Sequence, residues 1–443
     1  MDKYETVIGL EVHVELNTKT KMFCSCSADY FGKAPNTQTC PICLGLPGAL
    51  PFINEEAIKS CIKIGLALNC SVNERSLFER KNYFYPDLAK GYQISQLRWP
   101  LNINGWIEVE NDKGETTKIR INRVHQEEDT GKLTHSGGET LIDYNRCSVP
   151  LVEIVTEPDF REPSQIKDYA QKLQRIFRYL GVSNADMEKG DMRLEANISV
   201  RPVGQKELSP YRVELKNINS FRYMVAAVEY EIKRQIEMYE AGRQSELRQE
   251  TRGWNEVKKE TYIQRVKEEA NDYRYFPEPD LPEFNSGDLG FKIDDLRKEM
   301  PELSMQKLER YMKELGISKN NATVLSDDRK MAEYFEEIVK AADGKVDAQQ
   351  IANEIVNKKV EAGSKTADEI IAAVMEKKAG IIDDEAELTK LAQEVIGENE
   401  SSVADYKKGK LNALMALVGG MMKKTKGKAD PAKTKEILEK LLV

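Results

Sequence analysis

One stretch near the start of the chain constrains the fold most, because it joins a two-faced strand to a cluster of cysteines. In V-I-G-L-E-V-H-V-E-L, over residues 7–16, apolar residues alternate with Glu11, His13 and Glu15. A strand sends successive side chains to opposite faces, so this pattern predicts one apolar face for a core and one charged face. Three titratable groups are therefore expected along one side of the strand.

Two close pairs of cysteines follow this strand in F-C-S-C-S and T-C-P-I-C-L, namely Cys24, Cys26, Cys40 and Cys43. C-x-C and C-x-x-C pairs separated by a loop are typical of a tetrahedral structural zinc site. We therefore predict a zinc knuckle over 24–43. An open zinc site that uses His13-x-Glu15 with Cys40-x-x-Cys43 would instead be similar to a zinc-dependent base deaminase, although Thr39, and not proline, precedes Cys40.

The composition is that of a globular protein with room for two or three domains, with 443 residues of which 40% are hydrophobic and 32% charged. The sequence has no signal-like segment and no apolar run long enough to span a bilayer, so we expect a cytoplasmic protein with no membrane partner. A net charge of -8 argues against indiscriminate coating of nucleic acid. Residues 401–443, however, carry ten lysines against four carboxylates, which suits contact with phosphates.

Further carboxylates occur in strand-like segments of the first part of the chain. Glu127 and Glu128 lie in H-Q-E-E-D-T-G-K, and Glu153 interrupts the apolar strand P-L-V-E-I-V. A buried glutamate needs a proton, a cation or a metal, so Glu153 requires a partner. Since sulfur fills the zinc site, these side chains with Glu11 and His13 are left for a hard cation such as magnesium, which supports phosphoryl transfer.

The pattern along the chain predicts an α+β fold. Two more two-faced strands over 192–201 and 212–216 extend a mainly antiparallel sheet, and helical spacing over 164–180 and 220–242 predicts helices that flank it. Beyond about residue 291 the chain changes to short amphipathic helices. We therefore expect an N-terminal domain over 1–291 that contains the zinc knuckle, an all-α connector over 292–360 and an all-α tail domain over 361–443.

Several motifs closely resemble the B subunit of the tRNA-dependent amidotransferases that make Gln-tRNA(Gln) and Asn-tRNA(Asn). They include V-I-G-L-E-V-H-V-E-L, R-K-N-Y-F-Y-P-D, H-Q-E-E-D-T-G-K, P-L-V-E-I-V-T-E-P-D, R-L-E-A-N-I-S-V-R-P and D-Y-R-Y-F-P-E-P-D-L. The resemblance implies a kinase-type cradle domain at the N-terminus and a tail that contacts tRNA. It also implies two partner proteins, namely an amidase (glutaminase) subunit and a small third subunit.

The resemblance further implies a reaction and a set of site residues. ATP would activate the side-chain carboxylate of mischarged Glu-tRNA(Gln) or Asp-tRNA(Asn), and ammonia derived from glutamine would then convert it to the amide. The magnesium and phosphoryl-transfer set would be Glu11, His13, Glu128 and Glu153, with Glu127 as the alternative magnesium ligand to its neighbour Glu128. The nucleotide or substrate would contact Lys81, Tyr83, Asn197 and Lys216. Zinc would be structural.

Two other classes of function are weighed against this one. A non-catalytic RNA-binding zinc module would not need acidic strands, because they repel phosphates. A stand-alone aminoacyl-tRNA synthetase is disfavoured, because H-I-G-H and K-M-S-K-S signatures are missing. The sequence leaves open which of the two mischarged tRNAs is the substrate.

Overall fold

The computed structural model describes residues 3–266, 272–379, 384–407, 410, 412–425 and 428–442. It divides into two compact units, Met1–Ser304 and Met305–Val443. Every strand of the described residues lies in the first unit, and the second is built from helices. This confirms the α+β class predicted from the sequence.

The first unit is built around a nine-stranded sheet with the order β14-β13-β12-β11-β1-β10-β7-β6-β2. The strands of the described residues are β1 (Tyr4–Glu15), β2 (Ser71–Val72), β3 (Arg75–Ser76), β4 (Glu79–Asn82), β5 (Tyr92–Ser95), β6 (Asn102–Glu110), β7 (Thr116–Glu128), β8 (Lys132–Ser136), β9 (Glu139–Asp143), β10 (Pro150–Thr156), β11 (Met192–Pro202), β12 (Val213–Ile218), β13 (Glu250–Asn255), β14 (Glu260–Val266), β15 (Phe276–Pro277) and β16 (Phe284–Asn285). Among the strand pairs that the described residues form in the large sheet, only β12–β13 is parallel. The sheet is therefore mainly antiparallel, as expected.

Strand β1 lies at the centre of this sheet, between β10 and β11. Its apolar residues Ile8, Leu10 and Val12 are completely buried and belong to the main hydrophobic core. Because side chains alternate along a strand, Glu11 and His13 lie on the opposite face. The predicted division of β1 into an apolar and a charged face is confirmed.

Four helices of the first unit are α1 (Glu55–Ala67), α2 (Pro163–Leu180), α3 (Phe221–Glu240) and α4 (Ile293–Glu299). The first three pack on strands of the sheet and bury residues in the same core as β1. Helix α1 begins after Asn54, whose side chain accepts hydrogen bonds from the backbone of Glu56 and Ala57. Helix α2 starts with Pro163 and ends at Gly181, which has a left-handed conformation (φ 68°).

The remaining helices are α5 (Ser304–Lys313), α6 (Lys319–Asp327), α7 (Arg329–Ala342), α8 (Ala348–Asn357), α9 (Ala367–Ala379), α10 (Glu385–Glu398), α11 (Glu400–Lys407), α12 (Asn412–Lys424) and α13 (Pro431–Leu442). They form two hydrophobic clusters, one from Tyr311 to Val374 and the other from Leu388 to Leu442. The expected boundary at residue 360 falls inside the first cluster, because α9 packs against α7 and α8. No helix of the described residues has the length and apolar character needed to cross a membrane.

Candidate functional site

The register of three neighbouring strands brings polar side chains together on the face of the sheet opposite the helices. His13 of β1 pairs with Glu153 of β10, and Glu153 pairs with His125 of β7. Directly opposed side chains in an antiparallel pair lie on the same face, about 5 Å apart at Cβ. Glu127 joins them because it follows His125 by two residues on β7. We call His13, His125, Glu127 and Glu153 the His–Glu cluster.

The polar atoms of the His–Glu cluster converge in a buried space. Nε2 of His13 lies 3.7 Å from Oε2 of Glu153 and 4.0 Å from Oε2 of Glu127. Nε2 of His125 lies 3.3 Å from Oε1 of Glu127 and 3.3 Å from Oε2 of Glu153. The side chains of Glu127 and Glu153 are only 1% and 8% exposed. One donor atom from each of His13, Glu127 and Glu153 lies within 4.8 Å of the other two, which is the spacing of metal ligands.

The electrostatics keep this buried cluster charged. Burial lowers the pKa of the His13 imidazole, but the Glu153 carboxylate outweighs it and raises that pKa to about 9. Burial likewise raises the pKa of Glu153, but His125 and His13 hold it well below its ordinary value. Only a neutral imidazole can bind a metal ion, so a divalent cation held by His13, Glu127 and Glu153 would displace the His13 proton. The carboxylate oxygens suit magnesium.

Lys81 and Tyr83 come from β4 and the residue that follows it, and β4 belongs to a separate three-stranded sheet with β5 and β15. Burial lowers the pKa of Lys81, but Glu127 and Glu153 raise it well above its ordinary value, so Lys81 is a cation beside the His–Glu cluster. Its Nζ lies 5.2 Å from the centroid of the Tyr273 ring. The ring of Tyr83 packs edge-on against Tyr273, with a centroid distance of 5.9 Å. Lys81 and two tyrosines thus border the cluster.

The structure assigns Glu11 to a second, neighbouring group rather than to the His–Glu cluster. Carboxylate oxygens of Glu11, Glu195 and Glu214 lie within 4.8 Å of one another. Asn197 Nδ2 donates a hydrogen bond to Glu11 Oε1 at 3.0 Å. Lys216 Nζ lies 2.6 Å from Glu195 Oε2 and 3.2 Å from Glu214 Oε1. The single acidic set expected from the sequence is therefore divided into two groups on one sheet face.

Glu128 does not join either group, which corrects the expectation that its carboxylate lies with Glu153. Glu128 follows Glu127 on β7, so its side chain points to the other face. There it forms an ion pair with Lys90, with a second contact from Lys90 Nζ to Oε2 at 2.6 Å. It also accepts hydrogen bonds from the Ile94 backbone at 2.9 Å and from Ser148 Oγ at 2.7 Å. Glu127 takes the position in the cluster that the sequence analysis gave to Glu128.

The four cysteines of the knuckle converge as the spacing predicted. The Sγ atoms of Cys24, Cys26, Cys40 and Cys43 all lie within 4.8 Å of one another. Lys21 is completely buried, with its Nζ 3.7 Å from Cys43 Sγ. A hydrogen bond from Cys24, opposed by burial and assisted by Lys21, lowers the pKa of Cys43 to about 5. This four-thiol arrangement fits zinc and leaves no place for a histidine ligand. Because His13 belongs to the His–Glu cluster, the deaminase hypothesis is not supported.

Sequence reasoning missed His125, Glu195 and Glu214 as members of these groups. All three lie at alternating positions of two-faced strands, so the alternation of polar and apolar residues already predicts that they lie on the polar face. What the pattern does not contain is the strand register, which alone shows that His125 lies opposite Glu153. Without that register the polar H-Q-E-E-D segment cannot be distinguished from a solvated strand end, although His125 is 2% exposed.

The fold and this site define a class of α+β proteins in which one face of a large, mainly antiparallel sheet carries a buried charged site and the same unit contains a four-thiol knuckle. Residues 6–288 match the family model of the GatB/GatE catalytic domain, and residues 292–442 match that of the GatB domain. The chain belongs to the GatB family.

Similar proteins cover the chain from end to end. The B subunit of the aspartyl/glutamyl-tRNA(Asn/Gln) amidotransferase of Thermotoga maritima is 44% identical, over 99% of each chain. The corresponding B subunit of Brevibacillus brevis is 43% identical, over all of this chain and 99% of its own. A protein of Clostridium acetobutylicum, named as the second B subunit of the same amidotransferase, is 43% identical over 99% of both chains.

Proposed function

We propose that this chain is the subunit of a tRNA-dependent amidotransferase that activates the side-chain carboxylate of mischarged Glu-tRNA(Gln), Asp-tRNA(Asn) or both with ATP. The activated carboxylate is then converted to the amide with ammonia derived from glutamine. The observation that carries this proposal is the His–Glu cluster with Lys81 beside it, since ionised carboxylates, imidazoles and a lysine are the groups that phosphoryl transfer needs. Full-length similarity to the three amidotransferase subunits supports the same conclusion.

The reaction has two steps, phosphorylation of the carboxylate and displacement of the phosphate by ammonia. An oxygen of the substrate carboxylate attacks the γ-phosphorus of ATP, the bond from that phosphorus to the bridging oxygen breaks, and ADP leaves. The lone pair of ammonia then attacks the acyl carbon, the carbon–oxygen bond to the phosphate breaks, and the nitrogen loses a proton. Phosphorylation is needed because a free carboxylate is a poor electrophile with no leaving group.

In this proposal His13, once its imidazolium has lost a proton, would hold Mg²⁺ together with Glu127 and Glu153, and the cation would supply positive charge that neutralises the phosphates. Lys81 stays protonated and attracts the substrate carboxylate or a phosphate oxygen. Tyr83 offers an aromatic surface beside Lys81 for the nucleotide or the substrate.

Glu11, which precedes His13 by two residues on β1, belongs to the second acidic group, and we assign this group a supporting role. Burial together with Glu153 and Glu195 raises the pKa of Glu11, which weakens its charge. Asn197 and Lys216 orient the carboxylates of this group, and they are the candidates for polar contacts to substrate.

The proposed partners follow from the same reasoning. The reaction consumes ammonia, so an amidase (glutaminase) subunit releases it from glutamine, and a small third subunit completes the complex. Zinc binds the four thiols as a structural ion and takes no part in the chemistry.

The tail is the proposed contact with tRNA. It contains all ten lysines of residues 401–443, of which Lys408 and Lys426 lie outside the described residues, as does the neighbouring Gly427. Truncation after residue 379 keeps the cluster from Tyr311 to Val374 and removes the cluster from Leu388 to Leu442. We expect it to raise the Kd for tRNA and to reduce the dependence of binding on salt. Unchanged tRNA affinity would remove the tail from the proposal.

The decisive test of the reaction is reconstitution. The chain is co-expressed with a candidate amidase subunit and a candidate small third subunit, and conversion of each mischarged tRNA is measured with ATP and glutamine. Glu127→Gln should lower amidation about 100-fold or more while glutamine hydrolysis by the amidase is retained. Glu139→Gln, on an exposed strand residue, is the matched control and should have no effect. ATP-independent amidation, or full activity of Glu127→Gln, would contradict the proposal, and tRNA binding with no ATP turnover would favour an RNA-binding module.

A further inference from the structure

The role of His125 is not explained by the donor set described above. It is 2% exposed, and its ring lies between the two carboxylates of the His–Glu cluster rather than at the convergence point of His13, Glu127 and Glu153. Its Nδ1 has no hydrogen-bond partner among the described residues. The hydrogen bonding of the ring is therefore concentrated at Nε2, which is 3.3 Å from an oxygen of each glutamate.

We infer that His125 is a positioning residue that holds Glu127 and Glu153 together through one Nε2–H, so that their carboxylates already converge on His13 before a divalent cation binds. This inference rests on the proposed cation site. An oxygen of Glu127 and an oxygen of Glu153 lie within 4.8 Å of each other, and two negative charges this close repel each other strongly where little water screens them. A donor shared by both carboxylates offsets that repulsion and keeps them from moving apart.

The contacts of Glu127 show how its two oxygens are divided. Oε1 accepts a hydrogen bond from Ser95 Oγ at 2.5 Å and faces His125 Nε2. Oε2 accepts from Gln93 Nε2 at 3.1 Å and is the oxygen that faces His13 Nε2. His125 and His13 thus face different oxygens of Glu127, whereas both face Oε2 of Glu153, which has a second lone pair for a cation. This is the arrangement by which outer-shell hydrogen bonds orient ligand carboxylates.

The test is equilibrium binding of Mn²⁺, as a probe for the divalent site, to the full chain by electron paramagnetic resonance. His125→Leu removes the donor, and we expect its Kd for Mn²⁺ to rise about tenfold or more. His125→Gln places an amide N–H at a similar reach, so it should stay within about threefold of the unsubstituted chain. His135→Gln is the matched control, because His135 is exposed and its Nδ1 pairs with Thr140 Oγ1 at 2.9 Å.

The outcomes separate the positioning role from a merely structural one. An unchanged Kd in His125→Leu would overturn the inference, and so would equal loss of binding in His125→Leu and His125→Gln, which would mean that the ring itself is required. If the leucine variant does not fold, His125→Asn replaces it, because its amide is too short to reach both carboxylates. Binding by His125→Asn equal to that by His125→Gln would then overturn the inference. The assay contains no ATP, tRNA or partner protein, so failure of the proposed reaction leaves its result intact.

Discussion

Replacing Glu128 by glutamine distinguishes its place in the structure from that of its neighbour Glu127. The Lys90–Glu128 pair is buried, with side chains 8% and 3% exposed. Glu128→Gln leaves the Lys90 ammonium without its counter-charge. Loss of one partner of a buried ion pair costs about 3–5 kcal/mol. We expect the lower end, about 3 kcal/mol, for three reasons. The amide oxygen still accepts from the Ile94 backbone, and the Ser148 hydroxyl, which donated to the other carboxylate oxygen, can turn to accept from the new amide nitrogen. A buried lysine can also lose its proton.

The assay combines two measurements on the full chain. Urea unfolding should show that Glu128→Gln lowers the free energy of unfolding by about 3 kcal/mol. The double variant Lys90→Met/Glu128→Gln should recover part of this loss, since it no longer contains the unpaired lysine charge. The affinity for Mn²⁺ should be unchanged in Glu128→Gln and at least tenfold weaker in Glu127→Gln. Removing a metal ligand should reduce the affinity at least as much as removing a residue that hydrogen-bonds to a ligand, which typically costs a factor of about ten or more. Weakened Mn²⁺ binding in Glu128→Gln with unaltered stability would refute the assignment of the two glutamates to opposite faces.

Two further predictions concern the knuckle and the helical unit. Removal of zinc by a chelator should unfold the knuckle and make the thiols of Cys24 and Cys43 reactive. Cys24→Ser should lower the zinc content measured by atomic absorption. If the thiols stay unreactive after chelation, the result would contradict a structural zinc site. In α8, Glu354 is buried and pairs with Lys358 and Lys377, both at 2.5 Å. Burial raises its pKa, but the two lysines hold it below 4.5. A depressed carboxylate pKa stabilises the fold above pH 4.5, and that stabilisation is lost as pH falls through the folded-state value. By chemical unfolding, Glu354→Gln should therefore cost about 2 kcal/mol at about pH 7 and progressively less as the pH falls below 4.5. A cost independent of pH would contradict the ion pairs.

The sequence predicts those features that depend on local periodicity. The alternation in β1 identifies both its buried and its charged face, and Gly181 ends α2 where the helical pattern ends. The four cysteines converge because their spacing already limits the geometry of the loop. These features need no knowledge of distant contacts.

The features that the sequence analysis missed depend on strand register and on packing between distant elements. Two adjacent glutamates are alike in sequence, and only the pairing of β7 with β10 decides that Glu127 faces His13 while Glu128 faces Lys90. The same pairing places His125 opposite Glu153. In the helical unit, α9 packs with α7 and α8 beyond the expected boundary at 360, and its amphipathic pattern does not specify which core it joins.

The central claim is that the side-chain carboxylate of the aminoacyl-tRNA is phosphorylated at the site formed by His13, Glu127 and Glu153. It is tested most directly with Glu-tRNA(Gln) or Asp-tRNA(Asn) that carries ¹⁸O at both oxygens of the side-chain carboxylate, incubated with the complete complex, ATP and glutamine. If the carboxylate oxygen attacks the γ-phosphorus, one ¹⁸O atom passes into each inorganic phosphate released by amidation, and Glu153→Gln abolishes both the label transfer and the amide. Formation of the amide with unlabelled phosphate would contradict the account.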